Sequence, residues 1–106
     1  MPRYLARASY SIEGVGGLLE EGGTSRRDAL SAAIASVGGT VEAFYYAFGD
    51  DDLVIIMDVP DQASAAALGL TIGGAGAISW STTVLLTPEE IDEAVAKSVE
   101  YRPPGS

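Results

Sequence analysis

Two residue types that carry much of protein chemistry are absent, since the sequence of 106 residues contains no cysteine and no histidine. Without cysteine there are no disulfides, thiolate nucleophiles or Cys-ligated zinc and iron–sulfur sites. The absence of histidine excludes a His-ligated haem, a Ser-His-Asp triad and nearly all zinc hydrolases. Any catalysis must therefore use carboxylates, tyrosines, arginines, hydroxyls or backbone groups, and we expect no metal and no organic cofactor.

Basic residues are also scarce, with six Lys and Arg against 15 Asp and Glu and a net charge of −9. Phosphate binding needs clustered Lys and Arg, so we expect no nucleic-acid partner and no anionic membrane surface. The start of the sequence has arginines but no apolar signal region, which makes the cytoplasm the expected location. Residues 63–86 are uncharged, but Gly, Ser and Thr interrupt them, and their periodicity indicates a helix followed by a strand rather than a membrane span.

What is present indicates one folded domain at residues 1–100 and an irregular tail at 101–106. Apolar residues make up 47% of the chain and charged residues 20%, which excludes disorder. With 13 glycines and many alanines, much of that apolar content is small side chains. A core of small residues is thin, and this favours burial of a further surface by oligomerisation.

Strands are predicted at 3–10, 40–48, 53–59 and 77–86 from alternation and from β-branched or aromatic content. The second strand is expected to place Phe44, Tyr46 and Phe48 on one face and Val41, Ala43 and Tyr45 on the other. Strands 2 and 3 are joined so tightly by the sequence GDDD that they should form a hairpin.

Helices are predicted from their end signals. Because of the glycines near it, the first helix is predicted to be short, at residues 15–21. The next helix should begin at Ser25, with Asp28 completing a capping box. Gly38 and Gly39 should end that helix, Asp61 should cap an alanine-rich helix, and Thr87-Pro88-Glu89-Glu90 should begin a last helix that reaches about residue 100.

The resulting order, βαββαβ plus a C-terminal helix, predicts an α+β ferredoxin-like fold with a four-stranded antiparallel sheet. Because strands 2 and 3 are apolar on both sides, the sheet face without helices needs a cover. The simplest cover is the same face of a second copy. We therefore expect a homodimer that forms a dimeric α/β barrel, with association beyond the dimer left open.

In this order of motifs the chain resembles the GYD domain family. The elements that carry the resemblance run from residue 3 to about residue 95: Ser11-Ile12-Glu13-Gly14, the helix from Arg26-Arg27 to Gly38-Gly39, Phe44-Tyr45, the Gly49 corner, Pro60-Asp61, Gly76 and Thr87-Pro88-Glu89-Glu90. The resemblance implies the dimeric α/β-barrel superfamily but no settled biochemical activity. The family corner has a tyrosine where this chain has Asp51, so any role of that phenol is lost here.

The sequence Gly49-Asp50-Asp51-Asp52 is the first candidate site. Adjacent residues of an extended strand point to opposite faces, so three aspartates in a row do not converge on one ion without a turn. Aspartate at a turn commonly bonds backbone amides. The main interpretation is therefore a hairpin corner, with an acid/base or anchoring role for Asp52 as the alternative and a metal site as the weakest.

The remaining candidates are aromatic and charged side chains on strands. Tyr45, Tyr46 and Arg7 join Asp52 as candidate catalytic groups, and Tyr10, Trp80 and Asp58 are candidate ligand-binding groups. Packing in the core or between subunits is the ordinary role of such aromatics. Arg7 in mid-strand needs a partner, and Asp58 on the neighbouring strand is the candidate.

Two functions follow, the first from the residues and the second from the enzymes of the superfamily that the resemblance implies. The first is a small homo-oligomeric module without established activity that binds a small apolar or aromatic molecule. The alternative is a cofactor-free oxygenase or isomerase acting on a small carbonyl or aromatic substrate with tyrosine, Asp52 or Arg7. The enzyme requires a closed cavity with convergent polar groups between sheet and helices, whereas a mainly structural protein fills that space with side chains.

Overall fold

The computed structural model describes residues 2–106 and has an α+β architecture with a four-stranded antiparallel sheet and four helices. The elements in chain order are β1 (Arg3–Tyr10), α1 (Ile12–Glu21), α2 (Gly23–Ser36), β2 (Thr40–Tyr46), β3 (Leu53–Asp58), α3 (Gln62–Gly74), β4 (Ile78–Leu85) and α4 (Pro88–Ala96). The strands are arranged in the order β2-β3-β1-β4, with every neighbouring pair antiparallel.

The core lies between the sheet and helices α2 and α3. Alternate strand residues face it, such as Ile55 and Met57 of β3, and the two helices contribute Ile34 and Leu68. Burial of these apolar groups is the main source of stability, because the hydrophobic effect scales with the apolar area removed from water. The sheet face opposite α2 and α3 is called the open face here.

Most predicted helix ends are confirmed. Asp61 caps α3 by accepting a hydrogen bond from the Ser64 amide at 2.8 Å. Thr87 and Glu90 form a capping box, with both bonds at 3.1 Å. Gly38 follows α2 with a φ of 83°, in the left-handed region that glycine adopts at little cost.

The predicted start of α2 at Ser25 was wrong. The helix begins at Gly23 with Gly22 as its cap, and Ser25 lies inside the first turn, where its hydroxyl reaches Glu21 at 3.4 Å. Gly22 also ends α1 and has a φ of 85°, so one residue with a left-handed backbone separates the two helices. The predicted short helix at 15–21 extends back to Ile12, because Ser11 caps it by accepting from the Gly14 amide at 3.1 Å.

The face assignment of β2 also needs a correction. A bulge between Val41 and Ala43 shifts the register, so that Val41 pairs with Met57 and Phe44 pairs with Ile55. Val41 therefore packs against the core together with Phe44 and Tyr46 instead of sharing a face with Tyr45.

The last helix, α4, lies apart from the rest. None of its residues is buried, and it ends at Ala96, before the predicted end. The radius of gyration is 17.0 Å, whereas a compact chain of this length has about 13 Å. Helix α4 and the residues after it thus project from the domain as an arm, defined here as residues 88–102.

Candidate functional site

Asp52 connects the end of β1 to the corner between β2 and β3. Its Oδ2 accepts a hydrogen bond from the Tyr10 amide at 2.9 Å, and its own amide donates to the Ala8 carbonyl at 2.9 Å. Its carbonyl accepts from the Ala47 amide at 2.9 Å and closes the hairpin. Of the three adjacent aspartates, Asp52 is the one whose carboxylate holds a backbone group of another strand, which is an anchoring geometry.

This geometry predicts a stability cost for Asp52→Ala of about 1–2 kcal/mol, because the half-buried Tyr10 amide loses its acceptor. Asp52→Asn keeps an acceptor oxygen and should cost less. Urea unfolding of both variants measures the difference. The matched control is Asp50→Ala, since Asp50 is exposed and should stay within about 0.5 kcal/mol of the unmodified protein. Equal losses at positions 50 and 52 would contradict the anchoring role.

Two phenols lie near this anchor on the helix side of the sheet. The Tyr46 hydroxyl donates to the Gly23 carbonyl at 2.9 Å, and its ring packs edge-on against Phe44 with centroids 5.6 Å apart. Tyr10 is half-buried, and its hydroxyl has no hydrogen-bond partner among the described residues. The structure thus brings together Tyr10, Tyr46 and Asp52 at one end of the sheet.

The surroundings of Tyr46 disfavour its ionised form. Burial raises the pKa of Tyr46 above the ordinary value of 10.0, the neighbouring Tyr10 phenol raises it further, and Arg26 and Arg27 oppose the shift. A raised pKa means that the phenol stays protonated and donates its hydrogen bond to Gly23 at neutral pH.

The contribution of Tyr46 to the free energy of unfolding should therefore decrease at alkaline pH. Because its pKa is higher in the folded than in the unfolded state, its contribution is complete below about pH 10 and is lost as the pH rises through the folded pKa. Tyr46→Phe should cost about 1 kcal/mol at neutral pH, and the difference from the unmodified protein should shrink above pH 10. Unfolding midpoints across this range test it, with exposed Tyr101→Phe as the control. A pH-independent difference would refute the assignment.

Trp80 lies elsewhere on the helix side. It pairs with Ala8 across the sheet and packs against Gly69 of α3, where an added Cβ would come within 3.4 Å of the indole. Its Nε1 is buried and has no partner among the described residues. Its surroundings are those of a packing residue.

The predicted pairing of Arg7 with Asp58 was wrong. The sheet register places Arg7 opposite Val54 and Asp58 opposite Arg3. The Arg3 guanidinium contacts Asp58 at 3.4 Å and Glu42 at 2.8 Å. Arg7 is exposed on the open face, and within residues 2–106 it takes part in no ion pair.

The open face carries a diagonal apolar band. The band runs from the β2 edge to the end of β4 through Tyr45, Val54, Ile56, Leu5 and Leu85. Tyr45 lies opposite Val54 and Ile56 lies opposite Leu5, and the remaining steps are between residues two apart on a strand or diagonal across two strands. Tyr45 is 71% exposed, and the other four are half-buried. In a single chain this band is therefore apolar surface that stays partly in contact with water.

A cavity of about 640 Å³, half open to solvent, lies between the open face and the beginning of α4. Its walls include Arg3, Glu42, Ile56, Leu85, Pro88 and Glu90. The sequence does not indicate this cavity, because its walls come from separate elements that no local pattern links. Smaller depressions of about 340 Å³ and 300 Å³ lie beside Tyr10 and Tyr46.

The described part of the chain contains no group of three or more acidic side chains placed to hold a metal ion. Asp50 and Asp51 differ from Asp52, because neither of their side chains makes a hydrogen bond within residues 2–106. Within the same residues, no helix has the length and apolar character needed to cross a bilayer.

The fold and the site define a small α+β protein with an apolar sheet face, a polar cluster at one sheet end and a cavity beside its last helix. The model of the GYD domain family matches residues 4–95, so the chain belongs to the GYD domain family. Searches of the curated proteins and of the solved structures gave no match.

Proposed function

We propose that this protein is a ferredoxin-like homodimeric module that holds a small apolar or aromatic molecule and has no catalytic role. The strand order supports the ferredoxin-like assignment, because β3 lies between β1 and β2, and β1 lies between β3 and β4. These are two split βαβ units interleaved in one antiparallel sheet.

The apolar band on the open face supports the homodimer. Stacked sheets pack about 10 Å apart, and their twist lets them meet along a diagonal. The band from Tyr45 to Leu85 runs along such a diagonal. A two-fold axis would bring the bands of two copies together, which forms the dimeric α/β barrel and removes Leu5 and Ile56 from water.

The cavity beside α4 is the observation that carries the ligand-binding proposal. Its volume of about 640 Å³ falls within the range of small-molecule sites. Ile56, Leu85 and Pro88 give it apolar walls, and the Arg3–Glu42 pair gives it one polar side. A second copy on the open face would close the cavity further.

The experiment is native mass spectrometry of the purified protein, followed by titration with an apolar fluorescent dye. Leu85→Trp should fill the cavity and weaken dye binding about tenfold. The matched control is Leu19→Trp, because Leu19 is 82% exposed on α1 and lies away from the cavity. Equal dye affinity in all three proteins would refute a ligand site at this position.

The enzyme alternative is supported by one observation, the pair of phenols at Tyr10 and Tyr46 beside Asp52. A cofactor-free oxygenase or isomerase would need a cavity there between sheet and helices. In the described residues the space between sheet and helices is occupied by the core, including Leu30, Leu53 and Ile78. The depressions of about 340 Å³ and 300 Å³ beside the phenols are open to solvent, and the larger cavity lies on the opposite side of the sheet. The binding module is therefore the better-supported function.

A further inference from the structure

The cavity beside α4 has a polar side on which the charges do not balance. Among residues 2–106, its walls contain the cation Arg3 and the carboxylates of Glu42 and Glu90. Asp58 adds a third carboxylate nearby, because it lies 3.4 Å from the Nε of Arg3 that Glu42 contacts at 2.8 Å. This polar side therefore combines one guanidinium with three carboxylates and is net negative.

Arg3 is a poor anchor for an anionic ligand. Its guanidinium is already in contact with the carboxylates of Glu42 and Asp58, and an added anion would lie beside both of them. Like charges a few ångströms apart repel each other, and the repulsion is stronger in a partly closed site than in bulk water. A carboxylate or phosphate group on the ligand would therefore gain little from this cation.

The beginning of α4 does not supply an anion site either, although helix N-termini commonly do. Pro88, the first residue of the helix, has no N–H to donate. The amides of Thr87 and Glu90 each donate to the other residue's side chain at 3.1 Å. The Glu90 carboxylate thus takes the place at the helix N-terminus that an external anion would need.

A cation, in contrast, meets acceptors with remaining capacity. Glu90 accepts the Thr87 amide with Oε1, and its Oε2 accepts no hydrogen bond within the described part of the chain. Glu42 is in ionic contact with Arg3 but accepts no hydrogen bond of good geometry from residues 2–106. Both carboxylates can therefore accept the N–H groups of a cationic ligand in charge-assisted hydrogen bonds.

The apolar walls include residues that the proposed dimer contact does not use. Val84, Leu86 and Pro88 line the cavity and lie outside the apolar band of the open face. Val84 is 51% exposed and Leu86 is 58% exposed, so a ligand that covers them removes apolar area from water. A ligand on these residues and the second copy on the band can be bound at the same time.

We infer that the ligand of this cavity is an organic cation with an apolar body. Its ammonium or guanidinium group contacts the carboxylates of Glu42 and Glu90, and its apolar body packs on Val84, Leu86 and Pro88. This inference rests on the proposed ligand-binding function and adds the sign of the ligand's charge to it.

The charge preference is measured by displacement of the apolar dye with probes that share one apolar body. The probes are phenethylamine, which is protonated at neutral pH, phenethyl alcohol and hydrocinnamate, which is an anion. Each of the two half-exposed carboxylates should contribute about threefold, so phenethylamine should bind about tenfold more tightly than the alcohol. Hydrocinnamate should bind more weakly than the alcohol, because it meets the same carboxylates as like charges.

Glu90→Gln gives the second readout, because glutamine also serves at this position of a capping box and keeps α4 in place. It should weaken phenethylamine binding about threefold and leave the affinity for phenethyl alcohol unchanged. The matched control is Glu89→Gln, which removes the same charge from the first turn of α4 at a residue that does not line the cavity. It should leave both affinities unchanged.

The expected result is a preference for phenethylamine that Glu90→Gln reduces and Glu89→Gln does not. Equal affinity for the amine and the alcohol, tighter binding of hydrocinnamate, or equal effects of the two variants would overturn the cation and leave the ligand site standing. Dye binding that does not respond to Leu85→Trp would instead overturn the ligand site and the cation with it.

Discussion

Gly14→Ala is expected to destabilise the protein by about 3 kcal/mol, although glycine is usually the poorer helix residue. Gly14 is buried in α1, and an added Cβ would overlap the Ala77 carbonyl oxygen and come within 3.0 Å of the Tyr10 ring. The same carbonyl accepts the Ser11 amide at 2.9 Å, so it is not free to move away. Thermal or urea unfolding measures the loss.

Gly16→Ala is the matched control in the same helix. A Cβ at Gly16 would meet nothing within 4 Å, so alanine should stabilise the protein by about 0.5–1 kcal/mol through helix propensity. The two substitutions are chemically identical and should have opposite signs. If both variants were stabilised, α1 would not lie against the Ala77 backbone as described.

If two copies associate through the open face as proposed, Ile56→Glu is expected to raise the dissociation constant of that homodimer by a factor on the order of a thousand, because it would place an unpaired carboxylate in the proposed apolar contact. Ile56 lies at the centre of the band, opposite Leu5 and Ala43. It is only half-buried in one copy, so the glutamate can reach water in the monomer. Analytical ultracentrifugation over a dilution series gives the dissociation constant.

Leu70→Glu serves as the control for this change, because Leu70 is 77% exposed on α3, on the other side of the sheet. It should leave the dissociation constant unchanged. Circular dichroism should show that both variants remain folded. A similar weakening by Leu70→Glu would place the contact on the helix side and contradict the role of the open face.

Much of the fold was predictable because its signals are local. The capping groups of Asp61 and Thr87, the glycine stop at Gly38 and the alternation of the strands each depend on a few neighbouring residues. The long α1 was underestimated for the opposite reason. Its glycines lower helix propensity, but Gly14 permits the close approach to Ala77 that anchors this helix, and the sequence does not show that contact.

The site was predictable in part. Asp52 and the phenols Tyr10 and Tyr46 were identified as candidates by type, and the structure brings these three together. The predicted pairing of Arg7 with Asp58 was wrong because the alternation of a strand does not fix which residues of two neighbouring strands lie opposite each other. In the observed register Asp58 lies opposite Arg3. The cavity and the projecting arm depend on the direction in which the chain leaves β4, and local patterns do not encode this direction.

Sedimentation equilibrium of the unmodified protein at micromolar concentration tests directly whether two copies associate through the open face, as proposed. We expect a species with twice the chain mass of 10.9 kDa, which converts to the single-chain mass in Ile56→Glu. A stable species of one chain mass throughout the concentration range would contradict it.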